Sequence, residues 1–288
     1  MKRKEGIWGL ILVAPLTVGI AAFVVLPLLF SLFVAFTDYD LINTPLFTGL
    51  DNIRWLVKDP YFLKSLGKTF YNALGVPFSM GIGLAAAVLI VKIRALGGFF
   101  KSILFLPAIC SSVAVTFMWQ FMLDYNNGII NWFLERLGLA RIQFLYGDTA
   151  MPSMIVMGIW GGMGVIVLLY FAAIKNIPAV YYEAAVIDGA NAWRQFRHIT
   201  LPTLSPITFY ILVTQLIGAL QDFARFMVMS GNGNSEDFTT AGVYVYQQAF
   251  TFGAPGYASA VAWALGLVII AVTLLNFRVS KNWVSYDN

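Results

Sequence analysis

Apolar residues in this chain gather into long runs. The first extends from Trp8 to Phe36, interrupted only by Pro15, Pro27 and a few small polar residues. Others cover Thr69 to Val91, Ser102 to Leu123, Ala150 to Ile174, Ser205 to Ser230 and Tyr257 to Phe277. A helix rises about 1.5 Å per residue and a bilayer's hydrocarbon core is about 30 Å thick, so each run is long enough to span it. The pattern predicts an all-α polytopic membrane protein with six spans. Between the runs, Leu50, Ile53, Trp55 and Leu56 recur at helical spacing among Asp51, Asn52 and Arg54, which predicts a short interfacial helix. Pro60 stands at the first position of a second short segment leading into the next span. Trp132, Phe133 and Leu137 oppose Glu135 and Arg136, an amphipathic pattern over Asn131 to Leu139. Gly231-Asn-Gly-Asn234 favours turns.

Composition agrees with the runs. The chain is 59% hydrophobic and 11% charged, whereas soluble domains are about 45–50% apolar and 25% charged. Met-Lys-Arg-Lys at the start resembles a signal peptide, but the apolar stretch behind it exceeds a 7 to 15-residue signal core of the usual kind, so it is read as a retained first span. Sidedness follows from cations, which concentrate in cytoplasmic loops. The termini with the second and fourth loops hold Lys2, Arg3, Lys4, Lys92, Arg94, Lys101, Lys175, Arg194, Arg197, Arg278 and Lys281. The opposite loops hold Arg54, Lys58, Lys64, Lys68, Arg136 and Arg141 together with the acids from Asp38 to Asp237. This places both termini in the cytoplasm and accounts for the basic balance without a nucleic-acid partner, since no cluster of Lys or Arg exceeds three residues. Cys110 is the single cysteine and is expected to pack as a small residue within the third span. The sole histidine, His198, lacks partners for catalysis or metal ligation, and no internal repeat or low-complexity linker divides the chain, which reads as one membrane domain over residues 1–288.

The fourth loop, residues 175–204, differs from its surroundings. Pro178 is placed to open a helix that Glu183, Ala184 and Ala185 continue. Gly189 then supplies a turn, tolerating a positive φ. Asn191 can cap a second short helix with Trp193, Phe196 and Thr200 on one face and Arg194 and Arg197 on another, ended by Pro202. The physics predicts a helix-turn-helix knob with small residues at its centre, suited to close approach by another surface.

Glu183-Ala184-Ala185, three residues, Gly189, nine residues, Ile199, one residue, then Leu201-Pro202 resembles the "EAA" signature of permease subunits in binding-protein-dependent ABC importers, and Asp188 and Ala190 beside the glycine look like that family too. The carbohydrate-uptake branch, which includes the maltose and glycerol-phosphate permeases, is resembled further at Phe47-Thr-Gly-Leu-Asp-Asn52, Asp59-Pro60, Gly128-Ile-Ile-Asn131 and Ala172 to Pro178. Relatives often carry a Gly-Gly-Gly-Pro turn where this chain has Gly231-Asn-Gly-Asn234. The resemblance implies that Glu183 to Leu201 form a coupling helix docking on a cytosolic ATPase. It also implies the partners: a second related permease, two ATPase subunits that bind ATP and Mg, an extracytoplasmic binding protein, and a sugar substrate. This chain would carry no cofactor, because it has no G-x-x-x-x-G-K-[ST] phosphate loop.

Candidate substrate contacts are the polar and aromatic residues of the spans: Asn72, Trp119, Gln120, Trp160, Gln215, Gln221, Asp222 and Arg225. Amides and aromatic faces suit sugar rings, and intramembrane ionisable groups are costly and usually paired or functional. Asp222 and Arg225 at i,i+3 also fit a purely local pair. Gly158, Gly161, Gly162 and Gly164 read as a surface for close helix packing. A membrane enzyme is disfavoured by the lack of a catalytic constellation, and a self-contained carrier would leave the knob unexplained. An ABC permease for another solute, such as glycerol phosphate, is the alternative within the class.

Overall fold

A computed structural model describes residues 12–93, 97–231, 233 and 235–285. Trp8, where the first run begins, and Lys2, Arg3, Lys4, Arg94, Asn232 and Asn234 lie outside the described residues. The described chain is almost wholly helical. In order come α1 (Leu12–Val34), a hairpin of β1 (Thr37–Asp38) and β2 (Leu46–Phe47), α2 (Asp51–Lys58), α3 (Pro60–Lys92), α4 (Gly97–Ile109) and α5 (Ser112–Met122). There follow α6 (Ile129–Arg136), α7 (Ala150–Lys175), α8 (Ala179–Ile187), α9 (Ala192–Gln195, continued by Phe196–Thr200), α10 (Ser205–Leu220), α11 (Ala224–Met229), α12 (Ala241–Tyr246, continued by Gln247–Thr251) and α13 (Pro255–Ser280).

Five of these helical stretches are long and apolar enough to cross a membrane, and a sixth span arises if α4 and α5 are counted as one broken crossing. That break corrects the uninterrupted run expected over Ser102 to Leu123: Ser102–Ile109 and Ser112–Met122 meet at a bend of 106°. Pro107 lies inside α4 and cannot donate to its helical ladder, and Ser111 takes an extended conformation before α5. Cys110 sits at the break and is exposed, so it is not the packed small residue expected. The second span begins at Pro60 rather than Thr69, because the segment led by Pro60 runs almost straight on, with one turn residue at Leu74. Pro202 does not end the second helix of the fourth loop. It occupies the first turn of a further short helix, Leu201–Thr203, where its missing N–H is no loss.

The described residues divide into two compact units. One takes the residues up to Leu63 together with Tyr244–Leu267. Within it, polar side chains satisfy irregular backbone: Asn52 donates to the carbonyls of Ala35 (3.0 Å) and Thr37 (2.9 Å), and Trp263 Nε1 donates to Ser31 Oγ (3.2 Å). Asp59 is buried, caps α3 by accepting from the Tyr61 N–H (2.9 Å), and accepts from the hydroxyls of Tyr244 (2.6 Å) and Tyr257. Burial pushes its carboxyl up, but these hydrogen bonds outweigh burial and hold it below the ordinary carboxylate value. Burial, and then the bond to Asp59, push the Tyr244 hydroxyl up.

The other unit takes Lys64–Val243 and the described residues from Val268 on. Its core is the contact of α3 with α7, where Gly83 lets Ile166 approach so closely that an added Cβ would stand 2.5 Å from Ile166 Cγ2. Ala87, Ile90, Ile166, Val167, Tyr170 and Ile211 are buried together there, and Leu204 and Ile177 tie the fourth loop onto them. A second cluster joins Met154 and Met157 of α7 to Phe226 and Met229 of α11. Asn131 on α6 is buried and braces its loop, donating to the Ile142 carbonyl (3.0 Å) and accepting from the Ile142 N–H (2.9 Å).

Candidate functional site

The second unit carries a half-open cavity of about 330 Å³, within the usual range for small-molecule sites. Helical spacing builds each wall. Asn72, Gly75, Val76 and Ser79 form one face of α3, while Gln215, Gly218, Ala219 and Asp222 form one face of α10 and its end. α7 contributes Gly158, Gly161 and Gly162, and the break between α4 and α5 contributes Pro107, Cys110 and Ser112. Irregular backbone at membrane depth is tolerated where it lines a cavity, and both interruptions here do so. The second is at Gln221–Phe223, where α10 stops and α11 has not begun.

Asp222 stands in that second interruption and Arg225 in the first turn of α11. Arg225 Nε donates to Asp222 Oδ2 at 2.6 Å and Nη2 donates to the same oxygen, while Nη1 donates to the Met154 carbonyl at 3.3 Å. Gly158 makes this possible, since a Cβ there would lie 2.7 Å from Nη1. The glycines of α7 therefore serve three purposes. Gly164 meets the backbone of Leu104 and Phe105, as helix packing requires, Gly158 admits a guanidinium, and Gly161 faces open space in the cavity wall. Asn72 is buried and donates to the Ala219 carbonyl at 3.0 Å.

Of the residues singled out in the sequence, Asn72, Gln215, Asp222 and Arg225 come together around this cavity, whereas Trp119, Gln120, Trp160 and Gln221 are not in its lining. Trp119 and Trp160 instead meet edge to face, with ring centroids 5.7 Å apart, and Trp119 Nε1 is buried without a hydrogen-bond partner among the described residues. Ser79, Ser112 and the glycines were missed as lining residues. On α3 their signal is Gly75 and Ser79 at i+3 and i+7 from Asn72.

The fourth loop folds as the knob expected from its sequence. α8 follows Pro178, and Gly189 adopts φ +73°. The Ala190 N–H donates to the Ala185 carbonyl (2.8 Å) and the Gly189 N–H to the Val186 carbonyl (3.0 Å), the paired bonds of a Schellman cap. Asn191 Oδ1 accepts from the Arg194 N–H at 2.9 Å, capping α9. Tyr182 and Thr200 share a hydroxyl hydrogen bond of 2.9 Å, and Gln195 donates to the Ala190 carbonyl at 3.0 Å, so the two helices are pinned together. Ile199 packs on the core beneath. Glu183, Ala184 and Asp188 remain exposed, and Ile187 is 87% exposed. Leu201 is also exposed and Ala185 half-buried.

A multi-span helical protein with a polar, small-residue cavity between its spans and a rigid, partly apolar knob at one end has the build of a transporter's membrane subunit. The family described as "Binding-protein-dependent transport system inner membrane component" matches residues 75–283. A probable ABC transporter permease protein of Bacillus subtilis, YesP, is 36% identical over 99% of this chain and 94% of its own length. The arabinooligosaccharides transport system permease protein AraP of the same organism is 30% identical over 94% of this chain and 87% of its own. A crystal structure of a bacterial ABC transporter involved in import of the acidic polysaccharide alginate contains a chain alike in fold (TM-score 0.85, 24% identity, 99% of this chain and 98% of that one). The chain belongs to the family of inner-membrane components of binding-protein-dependent transport systems.

Proposed function

We propose that this chain is the permease subunit through which an ATP-driven importer moves a sugar or short oligosaccharide. The observation that carries this reading is the knob of α8 and α9: capped, cross-braced and anchored to the core on one side, it leaves Glu183 and Ile187 exposed on the other. A rigid element with an unburied apolar tip suits a docking role. Docked on a cytosolic ATPase that closes on ATP, it would transmit that movement to α7 and α10, which flank it in the chain and line the cavity. Alternating access of this kind places the substrate between helices near mid-membrane. The sugar assignment rests on the carbohydrate relatives and on the mixed hydrogen-bonding walls formed by Asn72, Gln215 and Asp222.

The rest of the assembly follows the same reading: a second related permease, two ATPase subunits and an extracytoplasmic binding protein. The cation distribution supports cytoplasmic termini and a cytoplasmic knob. The chain itself carries out no catalysis and relies on its partners for ATP chemistry. Reconstitution tests this. The isolated chain in liposomes should neither hydrolyse ATP nor accumulate sugar, and adding the ATPase, the second permease and the loaded binding protein should restore both. Robust hydrolysis by the isolated chain would overturn the proposal.

A further inference from the structure

Asp222 and Arg225 both line the cavity. Their side chains are only 13% and 18% exposed. Among the described residues they are the only charged ones in the cavity's lining, one of each sign, so those walls carry no net charge. The helix ends there cancel as well. The C-terminus of α4 and the N-terminus of α5 meet at Cys110, bringing opposite half-charges to one place.

The bonding within the pair is lopsided. Both contacts from Arg225 fall on Asp222 Oδ2, and among the described residues no hydrogen bond reaches Oδ1. Of the five N–H donors of a guanidinium, two remain after the bonds to Asp222 and Met154. Gln215, on the same wall, adds an amide with both a donor and an acceptor. An acceptor, a pair of donors and an amide side by side match hydroxyls, each of which donates once and accepts. They do not match a carboxylate, which only accepts, would lose its hydration, and would face Asp222 beside a cation already neutralised.

We infer that the Asp222–Arg225 pair is the charge filter on this chain's side of the pathway, admitting uncharged polyhydroxylated sugars and excluding those that bear a carboxylate. The inference rests on the sugar-permease reading above and adds to it which sugars pass and which residues decide. Within this cavity, Cys110 provides the reporter. In the purified complete importer, alkylation of Cys110 by N-ethylmaleimide would be followed by peptide mass spectrometry with no sugar, with maltotriose, arabinotriose or lactose, and with trigalacturonate. For the parent, at least one neutral sugar should slow alkylation and trigalacturonate should not. Asp222→Asn leaves Arg225 uncompensated, and trigalacturonate should then protect at a concentration about tenfold or more lower than in the parent, the factor expected for one charge-assisted contact. The double variant Asp222→Asn, Arg225→Gln, again without net charge, should return to neutral sugars only. Equal protection of the parent by trigalacturonate and neutral sugars, or an Asp222→Asn variant with unchanged preference, would overturn the charge filter and leave the sugar reading standing. Protection by no sugar of either class would overturn the sugar reading, and the filter with it.

Discussion

Gly189 isolates a single physical effect. Its φ is +73°, and a Cβ built there would meet nothing within 4 Å, so substitution acts through backbone conformation alone. An L-residue held in the left-handed region costs about 1–2 kcal/mol, and a β-branched one more, whereas Asn tolerates it. At 1.4 kcal/mol per tenfold, Gly189→Ala should shift the turn about 5- to 30-fold toward other conformations. The braces from Tyr182 to Thr200 and from Gln195 to Ala190 would keep the knob attached while its tip loses its fixed shape. Retention of the ATPase during purification, ATP hydrolysis and sugar uptake should therefore decline in the order Gly, Asn, Ala, Val at position 189. The amount of protein in the membrane should stay constant. If Ala and Val matched the parent in all three measurements, or if Asn were worse than Val, the Schellman turn would not be the element that shapes the docking surface.

Glu183→Ala removes an exposed carboxylate from the knob. If that group is desolvated in the docked complex, ATPase retention should weaken by roughly 1.5–3 kcal/mol, and unchanged retention would exclude a contact there. Cysteines placed at Ser235 and at Asn191 in a Cys110→Ser background should react with impermeant thiol reagents from opposite sides, and labelling of both from outside intact cells would contradict the proposed sidedness. Gly158→Ala places a methyl 2.7 Å from a flexible guanidinium tip, so the protein should fold normally yet lose uptake. Normal uptake would show that the position of Arg225 is immaterial. Asp59→Asn should destabilise the first unit by roughly 1.5–3 kcal/mol in thermal or denaturant unfolding. Because the folded carboxyl titrates below its unfolded value, this stabilisation is complete above that unfolded value and disappears as pH falls through the folded one. The gap between parent and variant should be flat from about pH 5 to 8, and a gap that grew on acidification would refute the assignment.

Element type was legible because the physics that sets it is local. A run such as Ala150 to Ile174 has no charged residue and its one proline falls in the first turn, where a helix tolerates it, and α7 spans Ala150–Lys175. The knob was legible to its caps, since Pro178, Gly189 and Asn191 each act on the backbone within a few residues. Span continuity was not. Pro107 looks like one more tolerated proline in an apolar run, and only the surroundings of Cys110 and Ser111 turn it into a bend of 106°. The two-residue strands of the hairpin at Thr37 and Leu46 carry too little pattern to register at all.

The site divides along the same line. Asn72, Gln215, Asp222 and Arg225 stood out because polarity inside a span is costly, and all four reach the cavity. The tryptophans stood out because aromatic faces suit sugar rings, but aromatic rings are also routine in membrane proteins, and Trp119 and Trp160 are used on each other. What sequence patterning undervalues is space. Gly161 and Gly218 have no neighbour within 4 Å of where a Cβ would stand, and Gly158 is filled by Arg225. A small residue in a transmembrane helix can admit another helix, admit a side chain, or leave room for a solute, and these alternatives share one sequence signal. They separate only through the element opposite. Gly164 faces the Leu104 backbone and is packing, whereas Gly161, one turn earlier on the same helix, faces nothing and lines the cavity.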